Sequence, residues 1–190
     1  MRIKRTLNHE MDEVAADSAA TRLAVSMARK RLESARAGAS DSPGDETALA
    51  MLARDVGRLG DMLRLTGEFE ESEALLREAI EMWSRLEKRR AGALASLRMA
   101  LAFRTAARYK EADALLTRLL EDTHKWPELS VYQDFILHHR GINTWRMGDA
   151  RAGLKDLQAA LKIRKSDPPS RTTSDTEMAI AKVLATSEES

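Results

Sequence analysis

Apolar positions in this chain fall into runs in which alanine, leucine and methionine are interleaved with arginine and glutamate, the residues that lose least on entering a helix. The β-branched alternation of a half-buried strand is missing. The breaks are marked by Pro43, Pro127, Pro168 and Pro169, all in polar stretches. Proline lacks an amide donor and clashes with the preceding turn, so helices are predicted between those breaks. Residues 11 to 36 carry Val14, Leu23, Val25, Met27 and Leu32 on a long charged helix, and Asp175 to Ala185 offers Met178, Ile180, Val183 and Leu184 as a closing helix. The glycine-, serine- and aspartate-rich stretch Gly38 to Asp45 reads as a mobile link, with the alternative that it marks a helix docked elsewhere.

Self-similarity decides the fold class. The segment Thr66-Gly67-Glu68-Phe69-Glu70-Glu71-Ser72 and its continuation to Ile80 match the segment from Ala106 to Leu120, and a third copy runs from Met147 to Leu161. The turn residues Gly67, Ala107 and Gly148 fall 40 and 41 residues apart. Each unit reads as a helix, a tight turn and a second helix. The small residue permits the reversal, and Phe69 or Tyr109 anchors the second helix; Ala150 stands there in the third unit and should anchor less firmly.

This pattern resembles the tetratricopeptide repeat, over roughly residues 47 to 165. Gly60, Ala100 and Gly141 fall where that family places its close helix-to-helix contact, and Ser72, Ala112, Gly153, Ala79, Leu119 and Ala160 fall at its other usually small positions. Leu59 and Met99 fill the large preceding slot, which Arg140 takes in the third unit, a departure expected to weaken that unit. The step exceeds the roughly 34 residues of the commonest form and is similar to the longer, kinesin-light-chain-like variety, as is the phrase Ala160-Leu161-Lys162-Ile163-Arg164. The resemblance implies an all-α solenoid of about three antiparallel helix pairs with capping helices at both ends. Caps are needed because a stacked array leaves apolar faces open. The expected organisation is an N-terminal helix and link over 1–45, repeats over 46–165 (about 47–87, 88–128 and 129–165), and a loop with a capping helix over 166–190.

In that family the first helices line a concave groove. Matching the units assigns to it Arg54, Arg58, Asp61 and Arg64, then Leu94, Leu97, Arg98, Leu101 and Arg104, then Phe135, His138, His139, Ile142, Trp145 and Arg146. Such a surface is apolar and cationic together, suited to an acidic, hydrophobic peptide, because guanidinium groups take carboxylates in a forked geometry and the apolar residues supply buried area. The competing reading is a solvated arginine face with the leucines, Phe135 and Trp145 packed against neighbouring helices. The lysine and asparagine clamp of the family's chaperone-tail binders is replaced by Gly57, Asp61, Leu97 and Leu101, which argues against that specificity.

Composition narrows the chemistry. Lysine and arginine number 31 against 30 aspartates and glutamates, so no net field draws nucleic acid or an anionic membrane, and recognition must be local. Cysteine is absent, excluding disulfides and thiolate chemistry and leaving a reducing cytoplasm compatible. The basic N-terminus is followed by charged residues instead of a signal-peptide core, and nowhere do ~18 apolar residues follow one another as a membrane span requires. No phosphate loop, nucleophile elbow or His-Glu-x-x-His motif occurs. His138 and His139, with Asp134 a turn earlier, lack the third ligand a metal site needs, and no cofactor is expected.

These readings lead to a non-catalytic cytoplasmic scaffold or adaptor that binds a protein or peptide. The alternatives are a self-assembling subunit, using Met82, Trp83 or the N-terminal helix, and a nucleic-acid-binding repeat with Arg54, Arg58, Arg64, Arg98 and Arg104 as a phosphate track.

Overall fold

The computed structural model describes residues 19–166 and 171–188. It divides into two compact units, whose described parts are residues 19–106 and 107–188. All regular structure among the described residues is helical. The first unit contains α1 (Ala19–Asp41), α2 (Glu46–Thr66), α3 (Phe69–Arg85) and α4 (Arg89–Thr105). The second contains α5 (Tyr109–Lys125), a 3-10 turn (Pro127–Tyr132), α6 (Gln133–Arg146), α7 (Ala150–Arg164) and α8 (Arg171–Glu188).

Local chemistry sets the helix ends. Asp45 caps α2 by accepting a hydrogen bond from the Thr47 amide at 2.8 Å, and α2 stops where Gly67 turns left-handed at φ 82°. The aligned turn residues share that conformation, Ala107 at φ 59° and Gly148 at φ 99°. The repeat is therefore a repeat of backbone geometry as well as of sequence. The third unit's second helix lacks the aromatic anchor but gains a cap, because Asp149 accepts from the Ala152 amide at 2.9 Å. The N-cap residues Glu68 and Arg108 of α3 and α5 make no such side-chain bond.

Within the first unit α2 and α3 pack closely. A Cβ placed on Gly60 would lie 2.9 Å from Leu76 Cγ and 3.1 Å from the Ser72 carbonyl, and the Ser72 hydroxyl donates to the Gly60 carbonyl at 2.6 Å. Val56, Leu59, Leu63, Leu75, Ala79 and Ala95 form the core, joined by Val25 and Leu32 of α1. Those two α1 residues lie two helical turns apart, so one stripe of an otherwise charged helix is buried. Ion pairs frame it: Arg31 to Asp55 at 3.0 Å, Arg36 to Glu78 at 3.3 Å, and Arg29 to both Glu68 and Glu71. The hydrogen bond from Arg29 holds the Glu71 carboxyl below its usual pKa.

Two sequence expectations change here. The helix expected over residues 11 to 36 continues to Asp41, absorbing half of the expected mobile link, while residues 11–18 lie outside the described residues. The closing helix begins at Arg171, earlier than Asp175. Met82 and Trp83, considered from sequence as a self-association surface, pack partly buried against the core, with Trp83 Cβ over Gly92.

In the second unit the backbones of α6 and α7 touch. A Cβ on Gly141 would stand 2.8 Å from the Gly153 carbonyl, and one on Gly153 2.7 Å from the Gly141 carbonyl. Arg140 bonds both Asp156 carboxylate oxygens, at 2.6 and 2.9 Å. That hydrogen bonding raises the Arg140 pKa above its ordinary value against the opposing effect of burial. The 3-10 turn buries Leu129 and Tyr132 ahead of α6.

Candidate protein-interaction surface

The residues assigned to a groove from sequence separate into buried and accessible sets. In the first unit, Leu97 and Leu101 are buried in the core. Arg64 is buried as well, its Nε donating to Asp61 Oδ1 at 2.9 Å. Arg98 Nε approaches the other oxygen of the same carboxylate at 3.5 Å. Asp61, itself buried, thus sits between an arginine of its own helix and one of α4, and ties the two first helices side by side.

The helical stripes that meet at this pair continue outward. Arg54 and Arg58 precede Asp61 by seven and three residues on α2 and are exposed, while Leu94 precedes Arg98 by one turn on α4 and is half-exposed. Arg54 also lies 3.7 Å from Asp55, which holds Arg31 of α1. Arg104, near the end of α4, is half-exposed. The accessible part of the first unit is therefore Arg54, Arg58, Leu94, Arg98 and Arg104. It is cationic with one apolar element.

In the second unit, burial removes Phe135 and His138 from any free groove, and His139 with them. The cause is α8. Thr176 Oγ1 of that helix lies 3.2 Å from His138 Nδ1, and Arg164 donates to the Thr172 carbonyl at 2.7 Å and to the Thr176 hydroxyl. Arg164 also donates to Asp134 at 3.0 Å and lies over the Phe135 ring at 5.1 Å. His138 thus serves a packed polar network, with the His139 ring set edge-on 4.9 Å away. Ile142 and Trp145 stay half-exposed; Trp145 Nε1 donates to Thr186 of α8 at 3.2 Å, and Arg146 stacks over the indole at 4.8 Å.

Sequence reasoning missed three polar anchors of this unit. Asn143 is fully buried and donates to the Tyr109 carbonyl at 2.9 Å, tying α6 to the start of α5. Asp156 and the Asp134–Arg164 pair are the others. Asp156 was legible, since it falls where Leu75 and Leu115 stand in the aligned units, opposite the slot where Arg140 replaces Leu59 and Met99. Asn143 and Asp134 carry no comparable mark, because a polar residue on a first helix reads equally well as solvated.

Among the described residues no three histidine, cysteine or acidic side chains gather as a metal-binding group, and no helix is long and apolar enough to cross a membrane.

The tetratricopeptide repeat model matches residues 49–122. No curated protein matches the chain. Among solved structures, BtubC (BKLC) from P. vanneervenii is similar with a TM-score of 0.52 at 16% identity, over 90% of this chain and 85% of that one, a likeness of fold. Repeats of this kind generally mediate protein–protein interaction. Residues 49–122, whose helix pairs carry close small-residue contacts and left-handed turns described above, are thus similar to tetratricopeptide repeats in both sequence and backbone geometry.

Proposed function

We propose that this chain is a non-catalytic scaffold, acting in the cytoplasm, that binds an acidic and hydrophobic segment of a partner protein along the α2–α4 strip of its first unit. One observation carries the reading. Asp61 draws Arg64 and Arg98 to itself, and on the same stripes Arg54 and Arg58 of α2 are exposed and Leu94 of α4 is half-exposed, which supports a mixed cationic and apolar strip. Arginines along a helix pair favour carboxylates spaced at helical or extended intervals, and Leu94 adds an apolar contact that pure charge recognition does not need. Ile142 and Trp145 are left out of the strip, since they belong to the other unit.

The test uses fluorescein-labelled peptides in polarization titrations: an amphipathic Glu/Leu peptide, its Lys/Leu counterpart, and a single-stranded RNA of similar length. The Glu/Leu peptide is expected to bind, and to lose at least about tenfold in affinity in the Arg54→Glu, Arg58→Glu double variant, for two charge-assisted contacts. Arg98 is left intact, because a glutamate there would face buried Asp61 and disturb the helix packing. Equal affinity for the Glu/Leu and Lys/Leu peptides, or binding of RNA alone, overturns the reading.

A further inference from the structure

Asp55 is a buried acid that the proposed strip does not use, 5% exposed and next in sequence to Arg54. Neighbours on a helix leave it about 100° apart, so the two side chains start toward different sides of α2. Asp55 faces α1, where its Oδ2 accepts from Arg31 Nε at 3.0 Å. Its Oδ1 is buried and accepts no hydrogen bond. Arg54 Nε stands 3.7 Å from that second oxygen, close enough for an ion pair and too far for a hydrogen bond. The Arg31 and Arg54 side chains are each 53% exposed, so both have room to move.

One carboxylate thus meets two arginines with different duties. Arg31 belongs to α1, which is otherwise held by the Val25 and Leu32 stripe and by the exposed pairs of Arg29 and Arg36. Arg54 belongs to the strip. A buried carboxylate oxygen without a donor is costly and draws any donor within reach. How strongly Asp55 draws Arg54 therefore depends on how much of its charge Arg31 already answers.

We infer that Asp55 couples the docking of α1 to the strip by sharing itself between Arg31 and Arg54. With Arg31 in place, Asp55 holds Arg54 loosely and leaves it available to an acidic segment. With Arg31 withdrawn, Arg54 closes to bonding distance on Asp55 and is taken from the ligand. The strip then binds best while α1 is docked. By linkage, a ligand carboxylate on Arg54 leaves Asp55 to Arg31 and strengthens the docking of α1 by the same factor. The effect on binding rests on the strip being the binding surface; the competition of the two arginines for Asp55 does not.

Two measurements on the full chain test this. The first needs no ligand and follows the Arg54 Nε–H signal by heteronuclear NMR, assigned from its loss in Arg54→Gln. In Arg31→Gln that proton is expected to exchange with water more slowly than in the unaltered chain, and adding Asp55→Asn should abolish the slowing. The second is polarization titration of the amphipathic Glu/Leu peptide. Arg31→Gln should weaken binding and Asp55→Asn should strengthen it, each on the order of threefold, the scale of one half-exposed ion pair. Both variants cut the same bond between α1 and α2, so an Asp55 with a merely structural role would move them in the same direction. Both effects should vanish in an Arg54→Gln background, which separates the coupling from a general change of charge. Circular dichroism melting verifies folding; if Asp55→Asn fails to fold, Arg31→Gln with and without Arg54→Gln still decides. Unchanged exchange of the Arg54 proton in Arg31→Gln overturns the inference, as does an effect on the peptide that persists without Arg54. If the unaltered chain binds no Glu/Leu peptide, the strip reading is lost instead, and the NMR measurement alone decides the competition for Asp55.

Discussion

Arg140 and Asp156 form a forked ion pair across α6 and α7, at the place where the first repeat sets Leu59 against Leu75 in its core. Read from sequence, Arg140 is a departure expected to weaken the third unit; in the structure it faces Asp156, which stands where the other two units have leucine. Removing one partner strands the other in a partly buried site. Asp156→Ala and Arg140→Leu are each expected to destabilise by about 1–3 kcal/mol, whereas Arg140→Leu with Asp156→Leu together, rebuilding the apolar pair, should cost much less than the sum. Urea denaturation of the four proteins measures this; additive losses would show that the pair is not coupled.

The turn residues make a second test. Ala107 holds φ 59°, a conformation costly for a residue with a Cβ, while Gly67 and Gly148 hold it freely. Ala107→Gly should raise stability by about 0.5–1 kcal/mol, and Gly148→Ala should lower it by a similar amount. Thermal melts of the two variants in one buffer decide, and a loss of stability in Ala107→Gly would contradict the strain.

Close backbone contact predicts a sharper effect at Gly141. An added methyl would press on the Gly153 carbonyl and Leu157, so α6 and α7 must separate, at about 1–3 kcal/mol for Gly141→Ala. Gly38→Ala, where a Cβ would meet nothing within 4 Å, is the control and should be neutral or slightly stabilising in its helix. Equal behaviour of the two variants in chemical denaturation would rule out the contact as described.

Phe103 and Leu116 are buried, and truncating either to alanine should cost about 2–5 kcal/mol. Circular dichroism at increasing denaturant gives the loss. A cost below about 1 kcal/mol at both positions would mean that these cores collapse around the gap.

The docking of α1 carries a pH signature. Glu71 has its pKa lowered in the folded state, first by the Arg29 hydrogen bond. A carboxyl depressed on folding contributes stability that is present above its unfolded pKa and is lost as pH falls through the folded one. The protection factors of α1 amides, with observed hydrogen-exchange rates divided into the intrinsic rates at each pH, should therefore fall on acidification through the carboxylate range, and Glu71→Gln should flatten that change. Both residues are substantially exposed, so the effect is at most about 1 kcal/mol.

How far the sequence went can be read at particular residues. The all-α class, the step of 40 to 41, the tight turns and the close contacts at Gly60, Gly141 and Gly153 were legible, because local backbone demands leave residue-type marks at fixed spacing: glycine where chains touch, proline where helices stop. Which arginines are buried was not. Arg54, Arg58 and Arg64 share one helix and one chemistry, and only the approach of α4 to Asp61 buries Arg64 and leaves the others in water. His138 and Phe135 likewise matched an open groove, yet His138 is buried against Thr176 of α8 and Phe135 is buried under Arg164 of α7. Helix periodicity is a property of neighbours along the chain, so the sequence by itself determined what the helices are and how they turn. Burial of a polar side chain depends on partners tens of residues away, and only the tertiary structure decided which charged side chains are enclosed between helices and which stay exposed.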